Sequence, residues 1–169
     1  GEQPLPVIAY HNSGWVNCPA RDVAVRFADG NATPSEVAQL KGYVQETMTH
    51  FKKDKRILMW ELYNEPGRGN SLDGGNKDIV LGDRSNKLVY QAWLWAREVN
   101  PSQPITATSA GSVGKNNDLI NRINADVLSI HDYGKPKALE ATIKNYQSEG
   151  RPIFMTEWLA RTAGSTVQD

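Results

Sequence analysis

Four short strand-like runs alternate with helical patterns along this chain, and few folds accommodate that order. The runs are ILMWELYNEP (57–66), QPITATS (103–109), ADVLSIHDY (125–133) and RPIFMTEW (151–158). Strands separated by helices pair in parallel through right-handed crossovers, so an α/β fold is expected. The helices are legible too. Thr33-Pro34-Ser35-Glu36 carries the residues of a capping box, with a proline suited to the first turn. Val37, Leu40, Val44, Met48 and Phe51 then recur every three or four residues as one apolar stripe. A second stripe, Leu88, Ala92, Trp95, Ala96 and Val99, stops at Asn100-Pro101. NDLINRI (117–123) predicts a short helix, and Leu139, Ile143 and Tyr146 mark another that Gly150 closes. Residues 1–32 are irregular, broken by Pro4, Pro6, Gly14, Pro19 and Gly30.

Neither a G-x-G-x-x-G nor a phosphate-loop motif follows any strand, which removes the usual signature of a doubly wound nucleotide-binding sheet. Polar residues gather instead at the C-terminal ends of successive strands, where a (β/α)8 barrel builds its active site. A full barrel takes about 250 residues; the 169 residues here would span part of one. Composition narrows the partners. Nineteen basic side chains balance nineteen acidic ones, leaving no basic excess for nucleic acid or an anionic membrane surface. No apolar run approaches the ~18 residues of a membrane span. The single cysteine, Cys18, excludes an internal disulfide and a cysteine-rich metal site. His11, His50 and His131 lack the spacing of a local zinc motif, and SLDGGNKD (71–78) lacks that of a calcium loop. No metal or organic cofactor is expected.

Alternation along the strands predicts which side chains share a face. Leu58, Trp60 and Leu62 form an apolar face on the first strand, leaving Met59, Glu61, Tyr63 and Glu65 on the other. Leu128 and Ile130 oppose Val127, Ser129, His131 and Tyr133, and Asp132, of the wrong parity for that face, is expected to be solvated or helix-facing. Glu157 is expected to share a face with Ile153 and Met155. Glu65 and Glu157 then converge on one mouth. Two facing carboxyls are what glycoside hydrolysis requires, one protonating the leaving oxygen and the other attacking the anomeric carbon or activating water. Like charges held close together favour one protonated and one ionised group. Trp15 and Trp158 could stack on sugar faces, whereas Trp60, Trp93 and Trp95 are expected to be packing residues. His11 could border a subsite or order its loop.

WELYNEP (60–66), HDY (131–133) and IFMTEW (153–158) resemble glycoside hydrolase clan A, in particular the cellulase-like family 5 group of retaining (β/α)8-barrel β-glycosidases. HNSGW (11–15), followed by a helix and DKRILMWELYNEPG (54–67), is similar to bacterial members labelled cellulase or xylanase-like. The resemblance implies that Glu65 is the acid/base, Asn64 holds the substrate 2-hydroxyl and Glu157 is the nucleophile. It implies also that Tyr133 contacts the nucleophile and His131 lines the site. It runs from the loop after the third barrel strand to just past the seventh. The chain is therefore expected to be one partial (β/α)8 TIM-barrel catalytic domain, residues 1–169, supplying about strands four to seven. The family's site arginine on strand two and its tryptophan on strand eight have no counterpart here.

The implied activity is retaining hydrolysis of a β-1,4-linked polysaccharide or oligosaccharide, cellulase-like and by double displacement. A secreted or periplasmic location is expected by analogy, because polymers are degraded outside cells. An open set of strands exposes sheet edges, so pairing with a second copy (a homo-oligomer) or with a larger parent protein is expected. The rival readings are a catalytically inactive half-barrel that binds carbohydrate or is purely structural, and an open α/β sheet of unrelated function.

Overall fold

A computed structural model describes residues 26–27, 30–66, 86–108 and 115–158. Helix α1 (Pro34–Phe51) starts where the capping box predicts. Thr33 Oγ1 accepts the Glu36 amide at 3.2 Å, and the Glu36 carboxylate accepts the Thr33 amide at 2.9 Å. Two amides that a helix start otherwise leaves without partners are thereby satisfied. Leu40, Val44 and Met48 are buried, with Val37 and Phe51 partly buried around them, which is the predicted stripe. They pack α1 on α2 (Asn86–Val99), whose Leu88, Val89, Ala92, Trp93, Trp95 and Ala96 are buried. Asn100 ends α2 at φ 50°, in the left-handed region that asparagine tolerates better than most residues. Helices α3 (Lys115–Asn124) and α4 (Pro136–Gln147) follow, the latter closed by Gly150 at φ 68°.

Strand β1 (Trp60–Asn64) pairs in parallel with β2 (Ile105–Thr108), and β3 (Leu128–Asp132) with β4 (Ile153–Trp158). Asp126 bridges the seam between the two pairs. Its amide donates to Ile105 O at 2.9 Å, and its carboxylate accepts the Ile105 amide at 2.8 Å. Thr106 Oγ1 adds a bond to Val127 O at 2.6 Å. The four strands thus stand in chain order, without the reversal that a doubly wound sheet contains. The strands are parallel and α/β as expected. No described helix is long and apolar enough to cross a membrane.

One face of the strands is apolar. Trp60, Leu62, Ile105, Ala107, Leu128 and Ile130 join residues of α1 and α2 in a single cluster, against which Ile153 and Met155 pack. Two of its tryptophans have an acceptor for the indole N–H. Trp93 Nε1 donates to Asn121 Oδ1 at 3.0 Å and Trp60 Nε1 to Gln103 Oε1 at 3.2 Å. A buried indole N–H needs such an acceptor, and with one supplied these rings are core residues.

Two face assignments made from alternation need correction, both because of a one-residue bulge. On β1, Glu61 pairs with Thr106 but Asn64 pairs with Thr108, so one extra residue sits between them. Tyr63 consequently turns into the apolar cluster beside Leu62, not onto the face of Glu61. On β4, Met155 pairs with Ile130 and Glu157 with His131, so Thr156 is the extra residue. Ile153 and Met155 pack on the apolar side while Glu157 turns to the opposite face. A bulge re-aims every side chain beyond it, and strand ends beside active sites are where bulges concentrate.

Candidate active site

Both bulges deliver an acid to the same place. Past Asn64 the backbone turns sharply, with Glu65 at φ 47° and Pro66 buried behind it. A non-glycine residue in the left-handed region costs roughly 1–3 kcal/mol and persists only where its surroundings hold it there. What holds Glu65 is His131 at the end of β3. The imidazole Nδ1 lies 3.0 Å from Glu65 Oε1, and Nε2 lies 3.4 Å from Glu157 Oε1. One ring thus stands between the two carboxylates, hydrogen-bonded to Glu65 through Nδ1 and within ion-pair distance of Glu157 through Nε2. Tyr133 donates its hydroxyl hydrogen to the other Glu157 oxygen, Oε2. One oxygen of Glu65, one of Glu157 and a His131 nitrogen all lie within 4.8 Å of one another.

The two carboxyls differ in exposure. The Glu65 side chain is 12% exposed and His131 4%, whereas Glu157 is 39% exposed. Glu157 is therefore open to solvent, while Glu65 is recessed. The same three groups could hold a metal ion, one atom each. His131 nevertheless turns different nitrogens to the two carboxylates, Nδ1 to Glu65 and Nε2 to Glu157, from opposite edges of its ring.

Below them lies a residue that alternation put on this face without marking it as special. Glu61, in the middle of β1, is 4% exposed. Its Oε1 accepts from Thr108 and lies 3.5 Å from Ser129 Oγ. Burial above all, helped by the nearby Glu157 and Glu65 and opposed by His131 and the Ser129 hydroxyl, pushes its carboxyl up to about 7. The available signal was an acid flanked by Trp60 and Leu62 in an otherwise apolar strand centre. Such an acid is buried at a cost unless something uses it.

The remaining candidates divide. Asn64 is buried and in register with Thr108, whose hydroxyl serves the polar face, so it stands beside the carboxylates. Asp132 turns away, accepting from the Gly134 amide at 2.7 Å and from Thr142 on α4 at 2.7 Å, as its parity predicts. Trp158 is in register with Asp132, one step past Glu157, and is 53% exposed. The ladder therefore places it with Asp132's face and not with the carboxylate cluster. His11, Trp15 and the 71–78 loop lie outside the described residues.

A comparison with curated proteins found no match. The family model Cellulase (glycosyl hydrolase family 5) matches residues 7–169. That match spans β1 to β4 and both acids, and the chain belongs to glycosyl hydrolase family 5.

Proposed function

We propose that the chain carries the catalytic pair of a retaining β-glycosidase acting on a β-1,4-linked glycan, within a (β/α)8 barrel of which β1 to β4 are about strands four to seven. The observation that carries the reading is the separation of the two acids. Retaining enzymes hold their carboxyls ~5–5.5 Å apart, and inverting enzymes ~6.5–9.5 Å apart to admit a water. Oxygens within 4.8 Å favour the former.

In the first step Glu157 attacks the anomeric carbon as the glycosidic C–O bond breaks, and Glu65 gives its proton to the departing oxygen. A glycosyl ester on Glu157 results. In the second step Glu65 takes a proton from water, whose oxygen attacks the same carbon and releases Glu157. Tyr133 aligns Glu157 through a charge-assisted hydrogen bond to Oε2. His131 keeps the acids in register with each other. Asn64, on the family resemblance, holds the substrate 2-hydroxyl.

A 2-fluoro β-glycoside with a good leaving group forms the ester quickly and loses it slowly. Peptide mapping is expected to find the label on Glu157. Labelling of another residue would overturn the nucleophile assignment. Sugar binding without any turnover would leave a carbohydrate-binding module in place of an enzyme.

A further inference from the structure

A row of polar side chains crosses all four strands beneath the carboxylates. Glu61 of β1 accepts from Thr108 of β2; Thr108 Oγ1 is 2.6 Å from Ser129 Oγ of β3; Ser129 Oγ is 2.7 Å from Thr156 Oγ1 of β4. Thr156 is the bulge residue that presents Glu157. Among the described residues, the hydrogen bonds of Glu61 go to hydroxyls alone. A buried carboxyl hydrogen-bonded to hydroxyls alone adds little to a fold, and an aliphatic side chain would fill the place at less cost.

Proton counting shows what the row can do. Three hydroxyls bring three hydrogens. With Glu61 ionised, Thr156 donates to Ser129, Ser129 to Thr108 and Thr108 to Glu61, so every donor points toward β1. With Glu61 protonated, its own O–H can donate to Thr108 and the row can reverse. The Thr156 hydrogen is then released beside Glu157. The charge on Glu61 is thus tied to the local arrangement at the second acid, one strand pair away.

We propose that Glu61 is a positioning residue for this site, a third carboxyl whose charge and hydroxyl row set the place and protonation of Glu65 and Glu157. The inference rests on the glycosidase reading above. The titratable groups facing it are Glu65 beyond β1, His131 of β3 and Glu157 of β4, while β2 faces it with Thr108. Burial and the two neighbouring acids keep Glu61 neutral up to about 7. Once it ionises, its charge favours the protonated form of Glu65, the form a general acid needs, and so delays the alkaline fall in rate.

Glu61→Gln keeps the acceptor but is neutral at every pH. The alkaline limb of kcat/KM is expected to move to lower pH by roughly half a unit to one unit. The acid limb should stay in place, because Glu61 is uncharged there in both proteins. An unmoved alkaline limb, or an equal drop at all pH values, would overturn the proposal. Carboxyl NMR on glutamate-labelled protein tests the coupling without turnover. The Glu61 signal, assigned by its loss in Glu61→Gln, is expected to titrate near 7. Its midpoint should fall in Glu157→Gln, where a repelling charge is gone, and rise in Thr108→Val, where a donor to the ionised form is gone. A midpoint near the ordinary 4.5, unaffected by either change, would sink the inference. Absence of hydrolysis with a coupled midpoint near 7 would instead remove the glycosidase reading and leave the coupling standing.

Discussion

The two strand pairs solve one problem in different surroundings. Strands β1 and β2 are buried along their whole length, whereas β4 is only partly covered, with Phe154 40% exposed. Each pair nevertheless ends in a one-residue bulge followed by an acid that faces the polar side. The buried pair delivers a recessed acid, Glu65, on a strained turn; the partly covered pair delivers an accessible one, Glu157, steadied by Tyr133. The difference suits the proposed division of labour. A nucleophile must reach the anomeric carbon, while a proton donor can act from behind the leaving oxygen. Matching bulges also show that position in the strand, and not burial, decides where the acid points.

The largest effect should come from removing the acid of the partly covered pair. Glu157→Ala is expected to lower kcat by at least roughly a thousandfold while leaving sugar affinity largely intact. A loss of only severalfold would mean that β4 does not carry the nucleophile. Next come the packing residues of the two pairs. Trp60→Ala should cost about 3–5 kcal/mol in urea denaturation, since it opens a cavity and strands the Gln103 amide oxygen. Phe154→Ala on β4 should cost about 1 kcal/mol or less. Similar costs at the two sites would erase the contrast between the pairs.

A smaller effect follows from Glu61. Its carboxyl in the folded chain sits at about 7, above the ordinary 4.5. The native state therefore holds a proton that the unfolded chain has released, and stability falls as pH rises through that window. At about 1.4 kcal/mol per pH unit the loss reaches about 3 kcal/mol by pH 7 and then levels off. Glu61→Gln should flatten this slope, so the variant gains on the parent between pH 5 and pH 8. Parallel stability curves for the two proteins would show that Glu61 is ionised throughout.

What the sequence disclosed, and what it withheld, follow the range of the forces involved. The start of α1 was legible because its capping box is a local exchange of hydrogen bonds between Thr33 and Glu36. The apolar stripe of α1 and the placing of Trp60, Trp93 and Trp95 in the core were legible from spacing. Glu65, His131, Tyr133 and Glu157 could be named as candidates, three of them from strand parity and all four from the family resemblance. The bulges could not be located. One extra residue leaves no mark in composition, so Tyr63 and Glu157 were assigned to the wrong faces of their strands. The row from Glu61 to Thr156 was hidden for another reason. Serine and threonine at strand centres acquire meaning only once neighbouring strands set their register. The same holds for His131, whose bond to Glu65 joins residues 66 positions apart.

The central claim, that Glu65 and Glu157 act across a gap too short for an inverting water, is tested most directly by stereochemistry. Proton NMR can follow the anomeric signals during the first minutes of hydrolysis of a β-linked oligosaccharide, before mutarotation mixes them. The β-anomer of the new reducing end should appear first, with the α-anomer growing in later at the mutarotation rate. Initial release of the α-anomer would contradict that claim.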